Sequence, residues 1–215
     1  MSVHKGSKRS LLDELWRDRI HTDPQALERV PAAIRQNLTS IWEPAECVRA
    51  RLADLPEGLL SLWIDSQRGH LVLTHLPSRY VTGIQQWRGR DLDGVCYLSA
   101  TDVLQHPYAA FAALGDLIDH LLGSGGEAAC LADGEGATPV LRTLAERLAA
   151  LHRLGYATPI ESADTPRAYF SHTWALYMTD PVTLNTLDPL AYRFYRHALM
   201  AQSWWKGAHS ESKLE

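Results

Sequence analysis

The chain lacks most of the features by which a sequence announces a nucleic acid, a membrane or a secreted fate. Its 21 Lys and Arg are outnumbered by 25 Asp and Glu, for a formal charge of −4, so it offers no basic stripe to neutralise a phosphate backbone. It also has no run of about 18 apolar residues, the length needed to span a bilayer. Neither nucleic acid nor membrane is therefore an expected partner. Cysteine is scarce. Cys47, Cys96 and Cys130 are odd in number and far apart, in neither CxxC nor metal-ligand spacing, which suits a reducing compartment and small buried side chains. Met1 to Arg9 is polar and basic, with no apolar stretch behind it to make a secretory leader, so the cytoplasm is the expected location. The closing Ser-Lys-Leu-Glu is not a peroxisomal address, which needs Leu at the carboxyl end. A nucleophile elbow, a phosphate-binding glycine loop and a dinucleotide fingerprint are all missing, and Gly123-Ser-Gly-Gly126 runs into acidic and small residues. No cofactor is expected.

What is present is enough for one core. With 215 residues, 46% of them apolar, the chain reads as a single α+β domain over 1–215, with 1–9 and 206–215 as disordered tails. Leu11, Leu12, Leu15 and Trp16 recur at helical spacing. Asp23-Pro24 caps a second helix carrying Leu27, Val30, Ile34 and Leu38, and a third runs from about Pro44 to Leu55. The period then changes to two. Leu60, Leu62 and Ile64, a turn at Ser66 to Gly69, and Leu71, Leu73 and His75 predict a β-hairpin. Pro77 to Gly94, with Gly83, Gly89 and Gly94, predicts an ordered loop whose Arg79, Arg88 and Arg90 are candidates to hold an anion. Val95 to Ser99 follows as a short strand. Pro107, Pro139 and Pro166 each sit where a first helical residue would, the last two behind Thr138 and Thr165, and Asp188-Pro189 opens the last helix. The five glycines of Gly123 to Gly136 predict a mobile loop.

Two segments resemble the anthrax lethal factor-like zinc peptidases, of the zincin superfamily. The family's metal-binding helix reads His-Glu-x-Gly-His-x-x-Asp-His-x-x-Gly. Here Gly115, Asp119, His120 and Gly123 match it, while the ligand pentad falls on Ala112 to Asp116. The family's later helix reads Phe-Ala-Glu-Ala-Phe-Ala-x-Tyr, and Tyr169 to Pro181 with Asp188 to Tyr195 is similar to it, with His172 at the position of the third ligand, a glutamate. The resemblance implies a zincin-like domain with a long central helix at the former metal site. It also implies a pseudo-metallopeptidase: Ala112 and Ala113 stand for the first ligand and the general base, and a methyl group can neither coordinate zinc nor accept a proton. No metal is expected, because Asp116 and His172 alone are too few to retain one.

Asp116 and His172 are then the candidate catalytic residues, facing each other across the old metal position, with Asp119, His120 and Tyr169 in support. A carboxylate and an imidazole in one cleft can move a proton, or form an ion pair that only replaces the metal as structural glue. Without a metal, peptide hydrolysis fits poorly. An intramolecular cyclisation or elimination fits better, in which Asp116 removes a proton while His172 and Arg79, Arg88 or Arg90 stabilise a departing sulfate or phosphate. The expected function is therefore a metal-independent lyase or cyclase acting on a small molecule in natural-product biosynthesis. The alternative is an inactive pseudo-peptidase that binds a partner protein through the aromatic C-terminal helix, anchored by residues such as Trp87, Trp174, Trp204 and Trp205. A small polar pocket at Asp116 and His172 would favour catalysis; an exposed aromatic patch would favour the scaffold.

Overall fold

The computed structural model describes residues 7–36, 38, 40, 42–124, 129–154 and 164–211. They form a single α+β domain, in which helices pack on one face of a small mixed sheet. Helix α1 (Lys8–Arg19) starts at Ser7, whose hydroxyl accepts from the Ser10 N–H, and buries Leu11 and Leu15. Strand β1 (Ile20–Thr22) follows directly. Asp23 caps α2 (Pro24–Glu28), and α3 (Ala32–Arg35) begins behind Pro31. The single helix expected after Asp23 is thus broken in two at Pro31, whose ring cannot occupy a helix interior. Helix α4 (Glu43–Leu52) matches expectation within three residues at its C-terminus.

The expected hairpin over Leu60 to His75 is not there. Its first arm is helix α5 (Glu57–Asp65) and only its second is a strand, β2 (His70–Thr74). Six residues of α5, Gly58 to Trp63, are buried. A helix that is apolar on every side loses its 3.6-residue signature, so the alternation of Leu60, Leu62 and Ile64 carries no information about period. Ser66 to Gly69 is a turn as expected, but it joins a helix to a strand, with Gln67 and Gly69 at positive φ and the Trp63 indole N–H donating to the Gly69 carbonyl at 2.8 Å.

The true hairpin lies where a loop was expected. Strands β3 (Arg79–Trp87) and β4 (Arg90–Ser99) pair antiparallel and are joined by Arg88-Gly89, both at positive φ (51° and 73°), the two-residue turn whose twist suits adjoining strands. Between Val81 and Ile84 the register slips at Gly83, φ +71°, which marks a β-bulge. The sheet order is β1-β2-β4-β3, with β1, β2 and β4 parallel. Its inner face carries Leu71, Leu73, Cys96 and Leu98 into the main core. The hairpin tip folds back across the outer face, where Trp87 and Tyr97 pack on Val72, Leu92 and Val95.

Helix α6 (Ala100–Gln105) leads into α7 (Pro107–Leu122), the longest helix at the sheet. Leu114, Leu117, Ile118, Leu121 and Leu122 are buried on α7, each contributing about 1.5–3 kcal/mol of transfer free energy before entropy is counted. After a 3₁₀ turn at Leu131–Asp133 come α8 (Pro139–Leu154) and α9 (Pro166–Thr179). The Thr138 and Thr165 hydroxyls cap them as expected. Helices α10 (Pro181–Leu187) and α11 (Pro189–Phe194), a π-helical turn at Tyr195–Leu199 and α12 (Gln202–Glu211) complete the chain. The single last helix expected from Asp188 onward is therefore interrupted. Lys8, Arg9 and the stretch from Lys206 to Glu211 are helical, where tails were expected; 1–6 and 212–215 lie outside the described residues. In the expected mobile loop Gly123 and Gly136 form a bridge, and 125–128 lie outside the described residues. All three cysteines are free thiols, Cys96 and Cys130 buried. Among the described residues no helix is long and apolar enough to cross a membrane.

Candidate functional site

Helix α7 lies between the sheet and α9, and both candidate catalytic residues lie along its contact with α9. Tyr108, Ala112 and Asp116 recur every four residues and so share one face of α7. All three are partly exposed, whereas Ala113 is buried. Helix α9 comes close because Gly115 has no side chain: a Cβ there would stand 3.0 Å from the Ser171 Cα and 3.0 Å from Trp174 Cδ1. That approach brings the Ser171 hydroxyl onto Asp116 as a donor. On the next residue, His172 meets the Tyr108 hydroxyl through Nδ1, the two rings stacked at 5.7 Å between centroids.

The electrostatics follow from partial burial. Desolvation raises the Asp116 pKa, opposed by the Ser171 hydroxyl and the positive fields of His172 and Arg167. Desolvation lowers that of His172, opposed by the Asp116 carboxylate. The two side chains thus share the α7–α9 contact, Asp116 held by Ser171 and His172 by Tyr108, and the charge of each bears on the other's proton. Tyr108, held up by burial, keeps its own. No sequence expectation named Tyr108, Ser171 or Arg167 as a site residue. The four-residue spacing from Tyr108 to Asp116 was a usable sign for the first; the other two depend on how the helices cross.

The supporting residues are placed differently from expectation. Asp119 is buried and accepts from the Ala132 N–H at 2.8 Å, fixing the 3₁₀ turn rather than orienting either catalytic candidate. Burial pushes its pKa up to about 8. His120 is also buried; its Nδ1 meets the Tyr80 hydroxyl of β3 and its Nε2 lies 3.4 Å from Arg68. Tyr169 donates to Asp188 at 2.7 Å, which ties α9 to the start of α11 and directs its hydroxyl to that joint. The three arginines do not converge. Arg79 opens β3 and Arg88 follows its last residue, Trp87, so the whole strand, roughly 26 Å at about 3.3 Å per residue, lies between them. Arg79 lies over Tyr97, Arg88 over Trp87 and 3.9 Å from Asp23. Arg88 and Arg90 belong to the tip on the outer face of the sheet, away from α7, so the cation acting on Asp116 is Arg167. Arg167 is bound to Asp133.

Two cavities, of about 240 and 230 Å³, lie elsewhere. One lies beside Arg68, Leu121 and Thr138, the other beside Thr143, Arg147 and Trp204, and neither is lined by Asp116 or His172. Among the described residues no three His, Cys, Asp or Glu side chains are grouped to hold a metal ion. Trp174 and Trp205 are buried, while Trp87 and Trp204 are only partly exposed, so the aromatic anchors expected for a partner protein are spent largely on packing. No protein-family model and no curated protein sequence matches the chain, and the roles of these residues rest on their geometry.

Proposed function

We propose that the protein is a metal-independent enzyme that acts on a small molecule by acid/base chemistry, on a zincin-like scaffold whose ligand positions have been replaced. What supports this most is the pairing of Asp116 and His172 on facing helices: both partly exposed, each held by its own hydroxyl, and each acting on the other's proton. The two helices that carry the resemblance to zinc peptidases, α7 and α9, are also the two that form this strip. A cytoplasmic setting suits three free thiols.

A raised carboxylate pKa suits a general base, because it strengthens the affinity for the proton to be taken. In the tautomer where the Tyr108 hydroxyl donates to Nδ1, a neutral His172 carries its proton on Nε2 and can donate it to a group gaining negative charge. In a cyclisation Asp116 takes the proton of a substrate amine, the nitrogen forms a bond to carbon, and the carbon–oxygen bond to sulfate or phosphate breaks, its electron pair leaving with the oxyanion. Arg167, rather than Arg79, Arg88 or Arg90, supplies the nearby positive charge.

The test is release of inorganic sulfate or phosphate from a panel of amino-alcohol sulfate and phosphate esters, with a chelator present. Turnover of one such ester, slowed about 100-fold or more by Asp116→Asn and by His172→Gln, is the expected result. Unchanged release in either variant sinks the assignment, and a panel with no turnover retires the sulfate or phosphate leaving group.

A further inference from the structure

A second cluster lies on the outer face of the sheet, where the hairpin tip closes over β1 and β2. Arg19 Nη1 is 3.3 Å from His70 Nε2, and His70 Nδ1 is 3.1 Å from His21 Nε2. A guanidinium has donors and no acceptor, so every proton in this row is assigned in turn. His70 Nε2 accepts from Arg19, His70 Nδ1–H donates to His21 Nε2, and the His21 proton resides on Nδ1. Residues from α1, β2 and β1 thus form a one-way relay that ends in a fixed donor. Among the described residues His21 Nδ1 meets no acceptor. The His21 ring is half-buried against Trp87 of the tip, 5.0 Å between centroids.

Arg90 and Arg19 are the charged groups acting on His21. The nearest carboxylate along the chain, Asp23, is shared by Arg88 at 3.9 Å and His75 at 3.7 Å, and His75 Nε2 in turn receives Arg29 at 2.9 Å. Arg88 thus shares Asp23 with His75, and Arg29 reaches it through His75, while Asp18, the carboxylate acting on Arg19, is itself bound by Arg17.

We propose that this corner binds an oxyanion, the phosphoryl or sulfuryl group of a ligand or the free ion. His21 Nδ1–H is the donor, Arg90 the counter-charge, and Arg19 with His70 the positioning pair that fixes the tautomer. Charge-assisted donors at a partly desolvated edge recognise such a group, whereas a metal ion would meet only repulsion and protonated nitrogens. The site lies across the sheet from α7 and is independent of the function proposed for Asp116 and His172.

The test is titration at constant ionic strength with sodium sulfate, sodium phosphate, glycerol 3-phosphate and sodium chloride, following the imidazole nitrogen resonances of His21 and His70. Sulfate and phosphate should give saturable shifts that chloride does not. Affinity should fall about tenfold or more in His21→Phe, which keeps a ring against Trp87, and in Arg90→Gln at an exposed position, the loss expected for one charge-assisted contact. Tighter binding of glycerol 3-phosphate than of phosphate identifies the group as ligand-borne; equal binding identifies the free ion. Shifts no larger than those with chloride, or wild-type affinity in either variant, overturn the proposal.

Discussion

Asp119 and His70 are two buried ionisable side chains whose effects on stability run in opposite directions with pH. Asp119 is held at a pKa of about 8, raised from 3.8 mainly by burial. The fold thus binds its proton more tightly than the unfolded chain does, and this stabilisation is complete below 3.8 and lost as pH rises through about 8. Asp119→Asn keeps an acceptor for the Ala132 N–H and removes that dependence, whereas Asp119→Ala strands a buried donor and should cost about 1–3 kcal/mol. Urea denaturation at pH 5, 7 and 9 separates them. His70 is depressed from 6.5 to about 4, mainly by burial, then by Arg19 and His21. The fold resists its proton, so stability is undiminished above 6.5 and lost as pH falls towards 4. His70→Gln should flatten that acid limb; an unchanged slope would exclude His70 as its source. At the candidate site, Asp116 raises the His172 pKa, so Asp116→Asn should move the His172 titration midpoint down, as read by the imidazole proton resonances.

At the scale of the element, glycines set two junctions by different means. Gly89 stands in open space at φ +73°, so Gly89→Ala costs only backbone strain, about 1–2 kcal/mol. Gly115 is helical and unstrained but tightly packed, so Gly115→Val should cost about 1–3 kcal/mol by overpacking and push Ser171 away from Asp116. Loss of the Asp116 effect on His172 in that variant would show that the α7–α9 approach carries the pair. These elements also show what the sequence makes legible. Helices α7, α8 and α9 were readable because Pro107, Pro139 and Pro166 mark first turns by local chemistry alone. Helix α5 was not, since a segment buried all round has no polar face to set its phase. The β3–β4 hairpin was hidden by its glycines and charges: Gly83, Gly89 and Gly94 with Arg79, Arg88 and Arg90 read as an ordered loop, and Arg88-Gly89 is a weaker turn signal than Asn-Gly. At the site, Asp116 and His172 could be named because the resemblance to zinc peptidases aligns them with former ligand positions on two helices. Ser171, Arg167 and the failure of the three arginines to converge depend on helix crossing and strand length, which a linear pattern does not encode.

Across the whole molecule the sheet has two unequal edges. Strand β1 is three residues long and ends at the Asp23 cap, so it offers little to pair with. Strand β3 is nine residues long and carries Ile84, 68% exposed, on an edge that no other strand of the sheet covers. Such an edge invites a strand from another copy, and proteins commonly defend it with charge or irregularity. The bulge at Gly83 serves as that defence. By slipping the register between Val81 and Ile84 it divides the free edge into two short runs that an incoming strand cannot match together. Deleting Gly83 would restore regular rungs along the whole edge, and sedimentation should then show concentration-dependent association beyond that of the wild type. A glycine in open space would thus govern how the chain behaves in a crowd of its own copies.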